Sequence, residues 1–461
     1  MFGRVLIANR GEIACRVART CRALGIHSIA VYSDADVAAP HVALADSAVR
    51  LGPAPVRDSY LSQDALISAL KSSGADAVHP GYGFFSENAG FARAVAAAGA
   101  VFVGPSPEAI ERLGDKIGAR ALARSVGVEP PPGSPAGIPA EDTAELERVA
   151  ATVGYPVIVK AAAGGGGIGM LVAKNPAELS RAATGATERA RQAFGDGRIY
   201  LERYLDRPRH IEVQVLADEQ GSVVALGERE CSVQRRHQKI IEESPSPAFI
   251  GTGGEQRRAE LERAALAIVR AADYRGAGTV EFIVDSAGQA FFLEVNARIQ
   301  VEHPVTEMVS GLDLVEAQLR IAAGEPLRTE VLNSQRSGAS VEARLYAEDP
   351  SRSFAPQPGR IERLVFPEPA PDLRIESGVG EGYEITPHYD PLLAKVVAWG
   401  SNRNSAIARL AAALAVTEVR VQGAKGPRAT NLPLLRALLQ HPEFVAGTYD
   451  TGLVERALRS G

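Results

Sequence analysis

The chain has 461 residues, of which 46% are hydrophobic and 23% are charged, a balance that excludes a disordered or collagen-like protein. Its length indicates about three domains. The net charge of -5 provides no general attraction for nucleic acid or for an anionic membrane, so a polyanion would need a local binding site. Three cysteines without metal or CxxC spacing, no signal-peptide pattern and no long apolar segment together predict a cytoplasmic protein.

Short apolar runs alternate with helical patterns at the start of the chain. Strands are predicted over 4–8, 28–32, 75–79 and 101–103, and helices between the first two strands and over 63–71 and 90–98. Because βαβ units place their strands in parallel, this alternation predicts a doubly wound α/β domain.

A stretch rich in proline and glycine at 129–139 interrupts this alternation and predicts a linker to a mobile module. The elements predicted for that module are strands over 155–160, 170–173 and 198–204, a glycine cluster at 164–169 and a helix over 176–194. Later segments predict antiparallel strands over 210–217 and 223–227, a hairpin over 279–296 and, from about 340, short strands with one helix over 403–415.

The glycine cluster matches G-x-G-x-x-G, but the residues that follow favour a strand over the helix that a dinucleotide-binding loop opens. A Walker A loop would need Gly-Lys-Ser/Thr, which is absent. The functional interpretation that remains is a strand–turn–strand lid whose backbone amides cover phosphates, with Lys160 as a nearby positive charge. The alternative is an ordinary surface hairpin.

The hairpin over 279–296 carries acidic residues at matched positions. Glu281 and Glu294 are about equally far from the predicted turn, so they should be cross-strand neighbours, and Asn296 should share a face with Glu294. Oxygen donors of this kind suit Mg²⁺ shared with phosphates. The alternative is a solvated strand face. The basic run at 234–239 is likewise either a solvated face or a small-anion site, because the acidic pI and the lack of interleaved aromatics disfavour nucleic acid.

Several motifs together resemble the biotin carboxylase family. They are residues 7–13 (IANRGEI), 79–84 (HPGYGF), 86–88 (SEN), 114–116 (GDK), 209–216 (RHIEVQVL), 234–239 (QRRHQK), 298–307 (RIQVEHPVTE) and 389–395 (YDPLLAK). The resemblance implies a mixed α/β and α+β architecture, the ATP-grasp fold. Its expected parts are a Rossmann-like domain over 1–113, an ATP-grasp domain over 114–334 with a glycine-loop lid at about 132–205, a C-terminal biotin carboxylase domain over 335–446 and a tail over 447–461.

The resemblance also implies an activity. A ligase of this family uses ATP and Mg²⁺ or Mn²⁺ to convert bicarbonate to carboxyphosphate and then carboxylates biotin on a carrier, the first half-reaction of an acyl-CoA carboxylase. The implied partners are a biotin carrier domain or protein, a carboxyltransferase subunit and a second copy of the chain. None of the methionines Met1, Met170 and Met308 stands beside a lysine, as the carrier motif requires, so biotin is expected as a substrate and not as an attached group. Residues 342–346 and 449–455 resemble acyl-CoA carboxylase alpha subunits with fused carriers, which predicts a gene product that continues beyond Gly461.

The resemblance assigns roles to individual residues. The implied nucleotide contacts are Lys116, Lys160, Gly165, Gly166, Gly167, Met170 against adenine, Glu202, Arg203, Leu205, His210, Gln234, His237, Glu281 and Glu294. The implied metal ligands are Glu281, Glu294 and Asn296. The implied bicarbonate contacts are Lys239, Arg298, Gln300, the Val301 main chain and Arg344. The implied catalytic residues are Glu302 as general base, Arg298, Lys239 and Arg344, the last also stabilising the biotin anion.

The chain departs from the family at the glycine loop, where Ala162, Ala163 and Ile168 replace the usual Ser, Gly and Arg, and at Ala297, where Thr is common. These changes predict weaker lid closure and a competent but slower enzyme. Three alternatives stay open: a different ATP-grasp ligase, which should lack Arg344 and the 298–302 stretch; a catalytically idle nucleotide-binding subunit; and an NAD-dependent dehydrogenase, which the loop context disfavours.

Lysine is rare, since only 7 of the 50 basic residues are lysine. Three of the seven, Lys116, Lys160 and Lys239, stand where the resemblance requires a cation. Because arginine fills most other basic positions, this choice predicts that a compact ammonium is needed at these three. Lys395 and Lys425 receive no functional role.

Overall fold

The first part of the chain forms a parallel sheet in the computed structural model, which describes residues 1–162 and 170–460. Its elements are β1 (Arg4–Ile7), α1 (Gly11–Ala23), β2 (His27–Ser33), α2 (Pro40–Leu44), β3 (Ser47–Gly52), α3 (Gln63–Ser73), β4 (Ala77–His79), α4 (Ala89–Ala97), β5 (Val101–Phe102) and α5 (Pro107–Gly114). The strand order is β3-β2-β1-β4-β5 and every pair is parallel, which confirms the predicted α/β alternation.

The loops after β1 and β4 meet at one end of this sheet. The Asn9 side chain joins them by donating hydrogen bonds to the carbonyls of Pro80 and Tyr82, each at 2.7 Å. In open α/β sheets, ligands bind beyond the carboxyl ends of the strands. The two loops and the residues that follow them carry Glu12 and Glu87 toward the rest of the protein.

A second, smaller unit follows α6 (Lys116–Ser125). Its elements are α7 (Thr143–Val153), β6 (Val157–Ala161), β7 (Leu171–Ala173), α8 (Pro176–Phe194) and β8 (Ile199–Arg203). The three strands form their own antiparallel sheet in the order β7-β6-β8, and apolar side chains from both helices form a separate core beneath it. We call the described part of residues 132–205 the lid.

The predicted linker at 129–139 is built into the lid. The Ser134 and Ile138 amides donate to the carbonyls of Leu201 and Ile199, at 2.8 and 2.7 Å. The second half of the predicted linker is therefore paired with β8 through its backbone amides.

The largest sheet, which we call the floor sheet, joins two distant stretches of sequence. The first contributes β9 (Arg209–Ala217), β10 (Val223–Arg235), β11 (Gln238–Ser244), α9 (Gly254–Ala271), β12 (Gly276–Val284), β13 (Ala290–Asn296), α10 (His303–Ser310), α11 (Leu314–Ala322) and α12 (Thr329–Leu332). The second stretch contributes β14 (Ala339–Tyr346), β18 (Leu373–Ser377) and β20 (Leu392–Gly400), and the strand order is β13-β12-β9-β10-β11-β14-β20-β18. The predicted hairpin is confirmed, with Glu281 paired opposite Glu294 and Thr279 opposite Asn296, whereas β10 extends well beyond its predicted end at 227.

The remaining elements complete the floor sheet and pack a C-terminal core against it. They are β14 (Ala339–Tyr346), β15 (Glu348–Asp349), β16 (Ala355–Pro356), β17 (Gly359–Val365), β18 (Leu373–Ser377), β19 (Glu384–Ile385), β20 (Leu392–Gly400), α13 (Arg403–Val416), β21 (Glu418–Gly423), β22 (Gly426–Arg428), α14 (Leu432–Gln440), α15 (Pro442–Ala446) and α16 (Leu453–Ser460).

The prediction of a single helix in this part is wrong, because α14, α15 and α16 are also present. The signal for α14 was its leucines at helical spacing, five of which are buried. No helix within residues 1–162 and 170–460 is long and apolar enough to cross a bilayer.

Candidate functional site

Lys239 on β11 is the centre of a buried charge cluster on the floor sheet. Its Nζ lies 2.5 Å from Glu212 Oε2, 2.9 Å from Glu281 Oε1 and 2.6 Å from Glu302 Oε1. Burial alone would lower the pKa of this ammonium, but the three carboxylates raise it well above its ordinary value. Lys239 is therefore a fixed positive charge that holds three acids from separate parts of the chain together.

Glu302 lies just before α10 and is only 2% exposed. Its second carboxylate oxygen is 3.0 Å from Arg344 Nη2, so the group is held between two cations. Burial favours the neutral acid, yet Lys239 and then Arg344 hold the pKa of Glu302 well below its usual range. A small anion that binds these two cations competes with Glu302 for them and frees its carboxylate to accept a proton.

Arg298 is oriented by a residue of the N-terminal part. Glu87 accepts from Arg298 Nε at 2.9 Å and from the Ala297 amide at 2.9 Å, and Asn296 Oδ1 accepts from Arg298 Nη2 at 2.7 Å. The guanidinium is thus fixed from two sides beside the acidic hairpin, which suits recognition of a planar carboxylate.

Gln300 and the loop around it belong to the same network. Gln300 donates to Glu281 Oε1 at 2.8 Å and accepts from Arg229 Nη2 at 2.8 Å. The carbonyl of Val301 accepts from Lys395 Nζ at 2.7 Å. Side chains from three strands, β10, β12 and β20, therefore hold the loop 298–302 in place.

The acidic hairpin offers oxygen ligands between cations. Glu294 Oε2 is 3.0 Å from Lys116 Nζ, and Glu281 Oε2 is 3.0 Å from His210 Nε2. The Asn296 side-chain amide nitrogen is buried without a hydrogen-bond partner among the described residues. Two carboxylates and an amide oxygen from adjacent strands fit the hard-cation chemistry of Mg²⁺.

The lid presents a lysine to the same region. Lys160 on β6 forms an ion pair with Glu202 on the adjacent strand β8, and Arg120 of α6 contacts the same carboxylate. Two cations therefore balance the charge of the Glu202 carboxylate. Residues 163–169, which include the predicted phosphate contacts Gly165, Gly166 and Gly167, lie outside the described residues.

Other predicted nucleotide contacts lie on the floor sheet and in the turn between β10 and β11. Gln234 donates to His210 Nδ1 at 2.7 Å, and His237 is exposed in the turn between β10 and β11 with φ of +65°. Partial desolvation and the positive charge of Lys160 lower the pKa of His237.

Three predicted residues occupy the edges of the lid. Met170 is half-buried directly before β7, and Leu205 is half-buried after β8. Arg203 donates to the carbonyl of Val153 at 3.0 and 2.7 Å, so its side chain fixes the end of α7.

Two buried cations that the sequence did not single out support this site. Arg229 is fully buried and donates to Glu212 and Gln300, among others. Lys395, also fully buried, lies 3.1 Å from Glu12 Oε1 in addition to its bond with Val301. A charged residue inside an otherwise apolar strand, as in Leu-Leu-Ala-Lys-Val-Val, was the available signal.

Comparisons with known families cover almost the whole chain. The family described as biotin carboxylase, N-terminal domain, matches residues 1–110, the carbamoyl-phosphate synthase L chain ATP-binding domain matches 115–330, and the biotin carboxylase C-terminal domain matches 342–456.

Individual relatives agree with these matches. A biotin carboxylase of Halalkalibacterium halodurans is 48% identical over 100% of this chain and 98% of its own length. The propionyl-CoA carboxylase alpha chain of Ruegeria pomeroyi is 45% identical over 100% of this chain and 69% of its own length. The biotin carboxylase domain dimer of Hydrogenobacter thermophilus 2-oxoglutarate carboxylase, solved with MgADP, ADP and bicarbonate, is 42% identical with a TM-score of 0.93, covering 100% of this chain and 98% of its own. These likenesses confirm the predicted ATP-grasp fold.

Proposed function

The chain belongs to the biotin carboxylase family, and from this premise we propose that the cluster around Lys239 carboxylates biotin on a carrier with ATP and bicarbonate. The reaction is the first half-reaction of an acyl-CoA carboxylase, and the protein is a ligase. The observation that carries the proposal is the position of Glu302 between Lys239 and Arg344. A carboxylate that can act as a base thus lies between two cations that can bind an anion.

The nucleotide occupies the cleft between the lid and the floor sheet. Lys116 and Lys160 supply compact charges for the phosphates, with His210, Gln234 and His237 beside them. Glu281, Glu294 and Asn296 would hold Mg²⁺, or Mn²⁺ in its place, and the ion would offset the negative charge of the transferring phosphoryl group. Catalysis of this step is positioning together with charge stabilisation.

Bicarbonate binds where the fixed cations converge. Arg298, Gln300 and the Val301 amide orient it, and Lys239 neutralises its charge. Glu302 accepts its proton, so the bicarbonate oxygen attacks the γ-phosphorus and releases ADP, which gives carboxyphosphate. Carboxyphosphate then splits to carbon dioxide and phosphate.

Arg344 serves the second step. Phosphate removes the proton from the biotin ureido nitrogen, and the nitrogen attacks carbon dioxide. The resulting negative charge on the ureido oxygen is offset by the Arg344 guanidinium, which β14 fixes beside Glu302.

We also propose the assembly that the resemblance implied. Biotin arrives on a carrier domain or protein, a carboxyltransferase subunit uses the carboxybiotin, and the chain forms a homodimer. The domain limits 1–113, 114–334 and 335–446 are part of this proposal, although Leu453 and Val454 of the proposed tail are buried in the C-terminal core.

Phosphate release from ATP and Mg²⁺ tests the function. Purified protein is assayed with bicarbonate and free biotin each omitted in turn, and labelled bicarbonate is followed into carboxybiotin. We expect ATP cleavage that requires bicarbonate and increases with biotin. Cleavage that is independent of both, or no cleavage, would exclude the proposal, and cleavage that requires a different co-substrate would identify another ATP-grasp ligase.

A further inference from the structure

A pair of buried glutamates lies behind Arg344 and has no part in the chemistry described above. Glu242 on β11 and Glu342 on β14 are paired directly opposite each other, and both are completely inaccessible to solvent. Residues opposite each other in an antiparallel pair have Cβ atoms about 4.5–5.5 Å apart. Two ionised carboxylates cannot be buried at that separation without strong compensation.

Only one of the two carboxyl groups forms an ion pair, and among the described residues no hydrogen bond reaches the oxygens of either. Arg344 Nη2 forms an ion pair with Glu242 as well as with Glu302. Neither oxygen of Glu342 accepts a hydrogen bond from any residue among 1–162 and 170–460. A further cation that acts on Glu342, Lys395, directs its Nζ to Val301 and Glu12. A charge on Glu342 would therefore be unpaired.

Ionisable groups on the neighbouring strands and at the start of α10 also affect the charge of Glu242 and Glu342. The ionisable groups around the pair are Arg344 on β14, Lys395 on β20, Lys239 on β11, Cys231 on β10, and Glu302 with His303 at the start of α10. Helices α13 and α14, which also pack on β14, bury only Ala, Ile and Leu side chains. Burial raises the pKa of Glu242 to about 7 and that of Glu342 well above its ordinary value.

We propose that Glu342 is a neutral carboxylic acid that donates its proton as a hydrogen bond to the Glu242 carboxylate, and that this pair positions the Arg344 guanidinium. One carboxylate charge, not two, then lies behind Arg344. Only one carboxylate then offsets the electrostatic attraction of the guanidinium for Glu302 and for the developing biotin anion. Glu342 is a positioning residue, because it acts on substrate only through Glu242 and Arg344.

Infrared spectroscopy tests the protonation state without reference to activity. A protonated carboxylic acid has a carbonyl stretch separate from carboxylate bands. We expect this band in the wild-type protein at about pH 8.5, and we expect Glu342→Gln to remove it. Glu348→Gln is the matched control, because the pKa of Glu348 is also raised by burial, to about 7. Absence of the band from the wild type, or its persistence in Glu342→Gln, would overturn the proposal.

Kinetics test the positioning role, which rests on the proposed function of Arg344. Glutamine at 342 keeps a donor toward Glu242, so Glu342→Gln should retain the wild-type KM for free biotin. Glu342→Ala removes the donor and should raise that KM roughly fivefold or more while leaving the KM for ATP unchanged. Equal damage from both variants would show that the charge of Glu342 is required and would refute the neutral acid. If the wild type carboxylated no biotin, the proposed function would fail while the infrared result still decided the protonation state.

Discussion

The floor sheet and the lid each present a lysine to the cleft but hold it differently. Lys239 on the floor sheet is bound by three carboxylates from β9, β12 and the start of α10. Lys160 on the lid pairs with Glu202, which lies on the neighbouring strand of the same small sheet. The proposed bicarbonate site is thus fixed by a network that joins distant parts of the chain. The lid could move as a unit, carrying Lys160 and Glu202 together, without breaking any ion pair of that network.

The largest loss of activity is expected on the floor sheet from Glu302→Gln. The amide keeps the shape but cannot accept the bicarbonate proton, so bicarbonate-dependent phosphate release should fall by about 10²–10⁴-fold. The matched control is Glu307→Gln within α10, where the carboxylate pairs with Arg16 and Arg374. That variant should melt at a lower temperature but retain turnover per folded molecule. Full activity in Glu302→Gln would remove the base from the mechanism.

Lys239→Arg is expected to have the next largest effect. The planar guanidinium cannot occupy the point from which one ammonium reaches Glu212, Glu281 and Glu302, so kcat should fall about tenfold or more although the charge is kept. Lys71→Arg, at an exposed position of α3, controls for the substitution itself. Unchanged turnover in Lys239→Arg would mean that the choice of lysine there reflects composition alone.

A smaller and different effect is expected from the lid. Lys160→Gln should raise the KM for ATP by about tenfold while kcat at saturating ATP changes less, because the floor network stays intact. The exposed Lys174 of the same unit provides the control variant Lys174→Gln. A loss confined to kcat would contradict the assignment of ATP binding to the lid and of the chemical step to the floor sheet.

The smallest effect concerns stability and not catalysis. Burial lowers the pKa of His41 and of His79 to about 4. Both side chains therefore stay unprotonated in the folded protein at pH values where they bind protons in the unfolded chain. The contribution of these two histidines to the free energy of unfolding should therefore be constant above about pH 6.5 and should fall between that pH and about pH 4.

Both histidines belong to the N-terminal part of the chain, His41 in α2 and His79 in β4. The midpoint of urea unfolding, followed by circular dichroism, measures the change in stability with pH. Residues 132–205 contain no histidine. Hydrogen exchange, corrected for its intrinsic pH dependence, should show α2 and the parallel sheet that contains β4 losing protection in acid before the lid does. A midpoint of urea unfolding that is constant from pH 7 to about 5 would contradict the assignment.

Local patterns in the sequence were enough for much of this architecture. The alternation of strands and helices predicted the parallel sheet, and the symmetry of the acidic hairpin predicted that Glu281 and Glu294 would be neighbours. The motifs supplied the family, because such runs as 298–307 are too specific to arise from composition.

The supporting residues could not be found in that way. Lys395 is 383 residues away from Glu12 in the chain, and no local pattern links a buried lysine to a carboxylate so distant. Glu242 and Glu342 stand in strands where the sequence shows only polar alternation, and their opposition depends on the register between β11 and β14. Long-range pairing of this kind is a property of the folded sheet.

The pairing of β11 with β14 also limits how the protein can be divided. A fragment that ended before Ala339 would leave β11 at the edge of the sheet, with unpaired backbone amides and carbonyls. Glu242 would also lose Glu342, the residue opposite it. Exposed edges of this kind invite pairing with other chains. Chimeras among relatives are therefore expected to stay monodisperse only when β11, β14 and β20 come from the same parent.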